Sequence, residues 1–138
     1  MLSGYAGTGK SFLIDYVVRE CLRLKAGEEA VFVSPTGKAA ANLVKNGTPA
    51  GTVHGLIYTR DEEDFDVDEN GEIIPLEHLR FIKKSSINEN IRLIIVDEAS
   101  MVNEEMLCDL LSFQVKCLFC GDGAQLPPVN GTCPIFLI

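Results

Sequence analysis

The first residues able to do chemistry stand near the start of the chain, where residues 4–11 read GYAGTGKS and fit the pattern G-x-x-x-x-G-K-[ST]. The glycines have no Cβ and allow a loop whose backbone N–H groups converge on one anion. In such a loop Lys10 reaches the β- and γ-phosphates of a nucleotide, and the hydroxyl of Ser11 binds Mg²⁺. The sequence therefore predicts a site for ATP and Mg²⁺, with the nucleotide held by Gly4, Gly7, Thr8, Gly9, Lys10 and Ser11.

Two acids complete the predicted site. The segment IRLIIVDE consists mainly of Ile, Leu and Val, which is typical of a strand buried on both faces, and it ends in Asp97 and Glu98. A carboxylate at the tip of such a strand, here Asp97, holds Mg²⁺ in phosphate-loop enzymes. Glu98 is placed to polarise a water for attack on the γ-phosphate, a task that a phosphotransferase does not need. The two acids together favour hydrolysis.

Gln125 follows the next apolar segment, VKCLFCGD, and is the third candidate for catalysis beside Lys10 and Glu98. Its uncharged amide can hydrogen-bond the γ-phosphate or the attacking water. The apolar segment itself contains Cys117 and Cys120 as a C-x-x-C pair. A zinc site needs two more ligands, and the sequence has no second pair. We therefore interpret the segment as a β-strand. The five cysteines, Cys21, Cys108, Cys117, Cys120 and Cys133, are expected to be reduced, buried thiols.

Segments with helical spacing of apolar residues alternate with short apolar runs, and this alternation predicts the fold. Helices are expected over 12–24, ended by Gly27, in KAAANLVK, ended by Gly47, and in EEMLCDLLSF, with Asn103 as the N-cap. The runs AVFVSP, RLIIV and KCLFC are expected to be strands. Strands alternating with helices form parallel sheets, so we predict one α/β domain over residues 1–138, with a parallel sheet flanked by helices.

Composition and charge narrow the class of protein. No apolar run reaches the roughly 18 residues that span a bilayer, and the start lacks the basic and apolar regions of a secretory signal. We therefore expect an intracellular, cytoplasmic protein without a membrane partner. The net charge is −8, but residues 61–72 hold eight of the 20 acids, which leaves 12 acids against 12 bases elsewhere. The acidity is local and does not exclude a DNA-binding face on the rest of the chain.

Four stretches of the sequence resemble one family: GYAGTGKS, SPTGKAA, the pair TVH and VDEASMV, and GDGAQLPPV. In this order they resemble the first, N-terminal motor domain of superfamily-1 DNA helicases of the RecD/Dda-like group. The resemblance runs from Gly4 to about Val129. The first stretch alone is generic, but the other three at these spacings are highly specific. The resemblance implies a RecA-like phosphate-loop NTPase that couples ATP hydrolysis to movement along single-stranded DNA.

The resemblance also implies roles for individual positions. The segment PTGK matches a family segment that lies against single-stranded DNA, TVH matches another, and Gln125 matches the residue that couples the γ-phosphate to DNA movement. From the residues alone, a solvated helix residue is the preferred interpretation of Lys38, and a core or capping histidine that of His54. The residues implied to bind DNA are Pro35, Thr36, Lys38, Thr52 and His54.

Parts of the family's machinery have no counterpart in this sequence. The resemblance implies a second RecA-like domain that supplies arginines to the γ-phosphate, and an adenine-contacting segment ahead of the phosphate loop. Only three residues precede Gly4, and the chain stops in the apolar PIFLI. We therefore expect a fragment, cut at both ends, with little activity by itself. Two alternatives stay open: a non-catalytic module that binds nucleotide or single-stranded DNA, and a phosphate-loop phosphotransferase.

Residues 61–77 form an acidic insertion that fits two patterns. FDVD and EIIP read as short strands joined at Asn70-Gly71, a strong hairpin signal. The residues DVDENGEIIPLE also fit the calcium-loop pattern D-x-[DN]-x-[DN]-G-x₅-E. Because Pro75 falls where the helix after a calcium loop should begin, we favour a small β-hairpin near residues 64–75. In the calcium alternative the ligands are Asp66, Asp68, Asn70 and Glu77.

Overall fold

The computed structural model describes residues 2–3, 9–60, 65–67, 70–71, 73–75 and 81–121. In this part of the chain the strands are β1 Leu2–Ser3, β2 Ala30–Ser34, β3 Ala50–Thr52, β4 Tyr58–Arg60, β5 Phe65–Val67, β6 Ile73–Pro75, β7 Phe81–Lys83, β8 Leu93–Val96 and β9 Lys116–Gly121. Five of them form one sheet in the order β1-β9-β8-β2-β3, and every neighbouring pair is parallel. The predicted parallel sheet is confirmed.

Helices connect these parallel strands. They are α1 Lys10–Tyr16, α2 Gly37–Lys45, α3 Val53–Ile57 and α4 Glu104–Leu111. A π-helical turn over Val17–Cys21 continues α1, and a 3₁₀ turn over Ala99–Met101 precedes α4. No helix among the residues described here is both long and apolar enough to cross a membrane.

The sheet is covered on both faces, as the residues of its central strand β8 show. Ile94 packs in a cluster with residues of α3 and α4, whereas Ile95 packs on the opposite face with Ile14 of α1 and Leu43 of α2. The side chains of Ile94 and Ile95 are 0% and 1% exposed. This double burial explains why IRLIIVDE is continuously apolar instead of alternating.

The ends of the helices agree in part with the signals in the sequence. The side chain of Asn103 caps α4 by accepting a 2.8 Å hydrogen bond from the N–H of Met106, and Gly47 follows α2 with a left-handed φ of +87°. The predicted helix over 12–24 ends earlier than expected, because the helical backbone stops at Cys21 and not at residue 24. Arg23, with φ +53°, is left-handed just after the helix, and Gly27 is left-handed too, with φ +89°.

The predicted β-hairpin is confirmed. β5 and β6 pair antiparallel, with Phe65 opposite Pro75, and Gly71 between them has φ +82°. A second antiparallel pair, β4 with β7, flanks the hairpin on the sequence and sets Arg60 opposite Phe81. The strands β4, β5, β6 and β7 thus form an antiparallel β element, which is inserted in the sequence between α3 and β8.

The C-x-x-C pair lies on β9, as predicted. Because Cys117 and Cys120 are three residues apart on a pleated strand, their side chains point to opposite faces of the sheet and cannot share a metal or a disulfide. Burial raises the pKa of Cys117 to about 11, so its thiol stays protonated at neutral pH. The expectation of buried thiols is wrong for Cys21 and Cys108, which are free but exposed on the outer sides of their helices.

Candidate functional site

The end of β8 and the start of α1 bring the two predicted metal-holding residues into contact. Asp97 directly follows β8, and Ser11 is the second residue of α1. The hydroxyl of Ser11 donates a 2.8 Å hydrogen bond to Oδ2 of Asp97, 86 positions away in the sequence. Because this hydroxyl is the donor of the hydrogen bond, the lone pairs of its oxygen remain able to bind a cation.

This pair of oxygen donors fits Mg²⁺. Proteins usually hold Mg²⁺ with one or two carboxylates together with substrate phosphates and waters, rather than with a cage of protein ligands. The described part of the chain agrees with that pattern, since it contains no group of three or more His, Cys, Asp or Glu that could hold a metal alone. Ser11 and Asp97 are therefore suited to a Mg²⁺ ion that also binds nucleotide phosphates.

Gly9 determines how the chain enters α1. Its φ of +76° and ψ of 17° are left-handed, a conformation that glycine adopts without steric cost. Lys10 is the first residue of the helix and is half-buried. The first N–H groups of a helix have no helical acceptor and can face an anion. Gly4, Gly7 and Thr8 lie outside the described residues, so their part in phosphate binding stays a prediction.

Glu98 has an unusual backbone. Its φ of 53° and ψ of 43° are left-handed, which is uncommon for a residue with a side chain and recurs at functional sites. The N–H of Glu98 donates a 3.0 Å hydrogen bond to Oδ1 of Asp97. Since Oδ2 accepts the hydroxyl of Ser11, both carboxylate oxygens of Asp97 are held. The turn thus fixes Asp97 and places a second, half-buried acid beside it.

β9 lies between the two halves of the site, because it separates β1, which leads into the phosphate loop, from β8, which ends in Asp97. Cys120, near the end of β9, interacts with charges from both halves. Burial and then the charge of Asp97 raise the pKa of its thiol to about 12, while the charge of Lys10 acts to lower it. Gln125 comes four residues after β9 and lies outside the described residues. Its proposed role therefore stays a prediction.

The two segments implied to bind DNA leave the sheet side by side. β2 and β3 are neighbouring parallel strands, and their last residues, Ser34 and Thr52, are partners in the register. Thr36 and Thr52 each cap the helix that follows, because each Oγ1 accepts an N–H three residues on, at 3.3 and 3.0 Å. This capping role was not predicted. The hydroxyl proton of each threonine can still be donated to a phosphate.

The other residues implied to bind DNA lie at the same edge. Pro35 is half-buried, and Lys38 is exposed on the first turn of α2. His54 is exposed on α3, and the centre of its ring lies 4.5 Å from that of Tyr58 and 4.8 Å from that of Phe81. His54 is therefore neither a core nor a capping histidine. Its ring lies between the half-buried Tyr58 and the exposed Phe81, and so links α3 to β4 and β7.

A clamp between the β element and α4 was not anticipated. The hydroxyl of Tyr58 donates a 2.5 Å hydrogen bond to Oδ2 of Asp109, and Nζ of Lys83 lies 3.6 Å from Oδ1 of the same carboxylate. The backbone N–H of Lys84 also donates to the carbonyl of Ile57 at 2.8 Å. These contacts fix β4 and β7 to α3 and α4. No local pattern signals the clamp, since Tyr58 and Asp109 are 51 positions apart.

Comparisons with known proteins agree with the motifs. The AAA_30 family, described as an AAA domain, matches residues 1–135. The ATP-dependent RecD2 DNA helicase of Deinococcus radiodurans is 31% identical over 144 residues, covering 100% of this chain. The resemblance to RecD-like helicases is thereby confirmed. The chain spans only 17% of that relative's length.

Solved structures of Bacteroides Pif1 share the fold. The Pif1 complex with ADP-AlF4 has a TM-score of 0.56 and 25% identity, covering 99% of this chain and 31% of that one. Pif1 bound to single-stranded DNA has a TM-score of 0.58 and 23% identity, covering 94% and 30%. The RecA-like fold is confirmed by these matches. With the family match over residues 1–135, the chain belongs to the AAA_30 family of AAA domains.

Proposed function

We propose that this chain is the first motor domain of an ATP-dependent DNA helicase. One observation carries the proposal: the hydrogen bond between Ser11 and Asp97 lies at the same edge of the sheet as the starts of α2 and α3. A site suited to Mg²⁺ and nucleotide is thus one and two strands away from the segments assigned to DNA. The relatives support this function, because RecD2 is named an ATP-dependent DNA helicase and the Pif1 structures contain ADP-AlF4 or single-stranded DNA.

Four residues have roles in the proposed hydrolysis. Lys10 binds the β- and γ-phosphates, while Ser11 and Asp97 hold Mg²⁺. A Mg²⁺ ion held by these two residues would neutralise the charge that develops on the phosphate oxygens. Glu98 orients the attacking water and accepts its proton. The hydrogen bond from the backbone N–H of Glu98 orients the carboxylate of Asp97, the neighbouring metal ligand.

The proposed coupling to DNA uses the neighbouring strands. Thr36 and Lys38 at the start of α2, with Thr52 and His54 at the start of α3, contact the backbone of single-stranded DNA through N–H groups, hydroxyls and a cation. Gln125, after β9, hydrogen-bonds the γ-phosphate or the attacking water and reports the nucleotide state to the DNA segments. A second RecA-like domain outside this chain supplies arginines and the other half of the DNA groove.

Steady-state ATP hydrolysis by the intact protein, with and without single-stranded DNA, tests the proposal. We expect hydrolysis that requires Mg²⁺ and rises when DNA is added. Binding of ATP without turnover, with or without DNA, would instead support a non-catalytic module. Transfer of the γ-phosphate to an acceptor other than water would support a phosphotransferase.

The DNA-facing residues are tested separately with Lys38→Ala. For a lysine that neutralises one phosphate of a single strand, the slope of log K against log salt falls by about 0.7. Lys45→Ala at the other end of α2 is the matched control, because it removes a similar exposed charge away from the sheet edge. Equal effects of the two substitutions on the salt slope would remove Lys38 from the DNA site.

A further inference from the structure

Ser34 is buried without a partner. Its side chain is 0% exposed at the end of β2, and its Oγ has no hydrogen-bond partner among the described residues. A buried hydroxyl without a partner destabilises a fold, and most such groups in native proteins are satisfied. The apolar run AVFV before it gives no local reason for a hydroxyl at this position.

Ser34 stands between Asp97 and Thr52 on one face of the sheet. In the register Phe32 faces Ile95, and both pack in the cluster on the α1 side. Ser34 and Asp97 each lie two residues further along. The pairing of β2 with β8 extends to Asp97, because its N–H donates a 2.8 Å hydrogen bond to the carbonyl of Val33. Since side chains alternate along a strand, Ser34 and Asp97 share the α1 face at one level, on strands about 4.8 Å apart.

The hydroxyl of Ser11, on α1, reaches Asp97 from that same face. Ser34 therefore borders the pair of residues that fits Mg²⁺, on the side toward β3. Both oxygens of Asp97 already accept a hydrogen bond, from the hydroxyl of Ser11 and the N–H of Glu98. The hydroxyl of Ser34 thus remains as a neutral hydrogen-bond acceptor at that level of the sheet.

We propose that Ser34 is a positioning residue of the metal site, and that its hydroxyl accepts a hydrogen bond from a water in the hydration shell of Mg²⁺. Mg²⁺ dehydrates reluctantly and keeps several waters, whose protons need acceptors. Outer partners of this kind orient metal ligands and tune metal affinity. This inference rests on the proposed binding of nucleotide with Mg²⁺.

The test measures binding and not turnover, so it does not depend on hydrolysis. The affinity of the intact protein for a fluorescent ADP analogue is measured as Mg²⁺ is titrated, and once in EDTA. The midpoint is the Mg²⁺ concentration at which half of the gain in nucleotide affinity is reached. For Ser34→Ala we expect this midpoint to rise about tenfold, which is the lower end of the losses of metal affinity seen when outer partners of metal sites are removed. The affinity in EDTA should equal that of the parent, and Ser34→Thr, which keeps the hydroxyl, should retain the parent midpoint.

Two further variants keep the test decisive. Thr48→Ala removes another buried hydroxyl, at the far end of α2, and should leave the midpoint unchanged. If Ser34→Ala unfolds by circular dichroism, Ser34→Cys, which has a similar shape but a poor acceptor, replaces it and should show the same shift.

The outcomes separate this inference from the proposed function. An unchanged Mg²⁺ midpoint in Ser34→Ala overturns it, and so does a loss confined to the affinity for single-stranded DNA. If the parent binds nucleotide with Mg²⁺ but never hydrolyses it, the proposed function fails while the role of Ser34 can stand. A parent without Mg²⁺-dependent nucleotide binding would overturn both.

Discussion

The hydroxyl of Ser11 and the carboxylate of Asp97 are joined by a 2.8 Å hydrogen bond across 86 residues of sequence. Ser11 belongs to the first turn of α1, and Asp97 directly follows β8. Two separate elements therefore position one pair of oxygen ligands for a metal. The fold itself thus holds these two oxygen ligands close together. Binding then requires less ordering of side chains, which otherwise opposes association.

The first prediction concerns the proposed base. Glu98→Gln should retain ATP binding and lose hydrolysis by about 10²–10⁴-fold, because the amide keeps the shape of the side chain but cannot accept the proton of the attacking water. The measurement is steady-state turnover beside equilibrium binding of ATP in the intact protein. Turnover at the parent rate would show that another group is the base.

Lys10→Ala provides the contrasting variant. It removes the cation at the start of α1, so we expect ATP binding itself to be lost or strongly weakened. Glu20→Gln is the matched control for Glu98→Gln. Glu20 is an exposed acid in the π-helical turn that continues α1, far from the site. Lys10→Ala with normal ATP affinity would contradict the assignment of the phosphate loop.

The second prediction is that the 138-residue chain alone hydrolyses ATP barely. An arginine finger is worth about 10³–10⁵ in rate. Two of the described arginines are engaged elsewhere: Arg19, in the turn after α1, pairs with Asp15 at 2.9 Å, and Arg92 lies 3.6 Å from Glu29 near the start of β8, opposite the end that carries Asp97. The assay compares this chain with one extended through a second domain, both with single-stranded DNA. Similar DNA-stimulated turnover by both would show that no outside arginine is needed.

The third prediction concerns the acidic insertion. Calorimetric titration with calcium should give no specific heat at micromolar concentrations, because β6 occupies the position where the helix after a calcium loop would begin. A saturable signal with one ion per chain, lost in Glu77→Ala, would restore the calcium interpretation.

The fourth prediction concerns the clamp between Tyr58 and Asp109. Burial of the Tyr58 hydroxyl, its hydrogen bond to Asp109 and the charge of that carboxylate raise the pKa of Tyr58 above its usual value near 10. The phenol thus stays protonated in the folded protein at a pH where the unfolded chain loses that proton. Its contribution to stability is therefore full below about pH 10 and is lost as the pH rises above that value.

Urea unfolding measures this contribution. We expect Tyr58→Phe to lower the free energy of unfolding by about 1–2 kcal/mol near neutral pH, as for a hydrogen bond to a charged group, and by less above about pH 10. The exposed Tyr16 provides the control Tyr16→Phe, which should cost little at either pH. A Tyr58→Phe effect that does not change with pH would show that the hydroxyl is not held protonated by Asp109.

The sequence by itself determined the local features. The start of a helix at Lys10, the doubly buried character of IRLIIVDE, the cap at Asn103 and the turn at Asn70-Gly71 each depend on a few neighbouring residues, and the structure has these elements. The predicted phosphate loop over residues 4–8 lies outside the described residues. The resemblance to RecD-like helicases likewise rests on contiguous motifs. Where a local signal was ambiguous, as at Gly27, the boundary of the helix was predicted wrongly.

Only the tertiary structure decided which residues meet. The sheet order β1-β9-β8-β2-β3 differs from the order of the strands along the chain, so it brings Ser11 to Asp97 and sets Ser34 between Asp97 and Thr52. A separate contact, between β4 and α4, joins Tyr58 to Asp109. Each contact forms because buried faces must stack and strands must pair, and these requirements act over the whole domain. No pattern of neighbouring residues contains that information, since the partners are separated by between 18 and 86 positions.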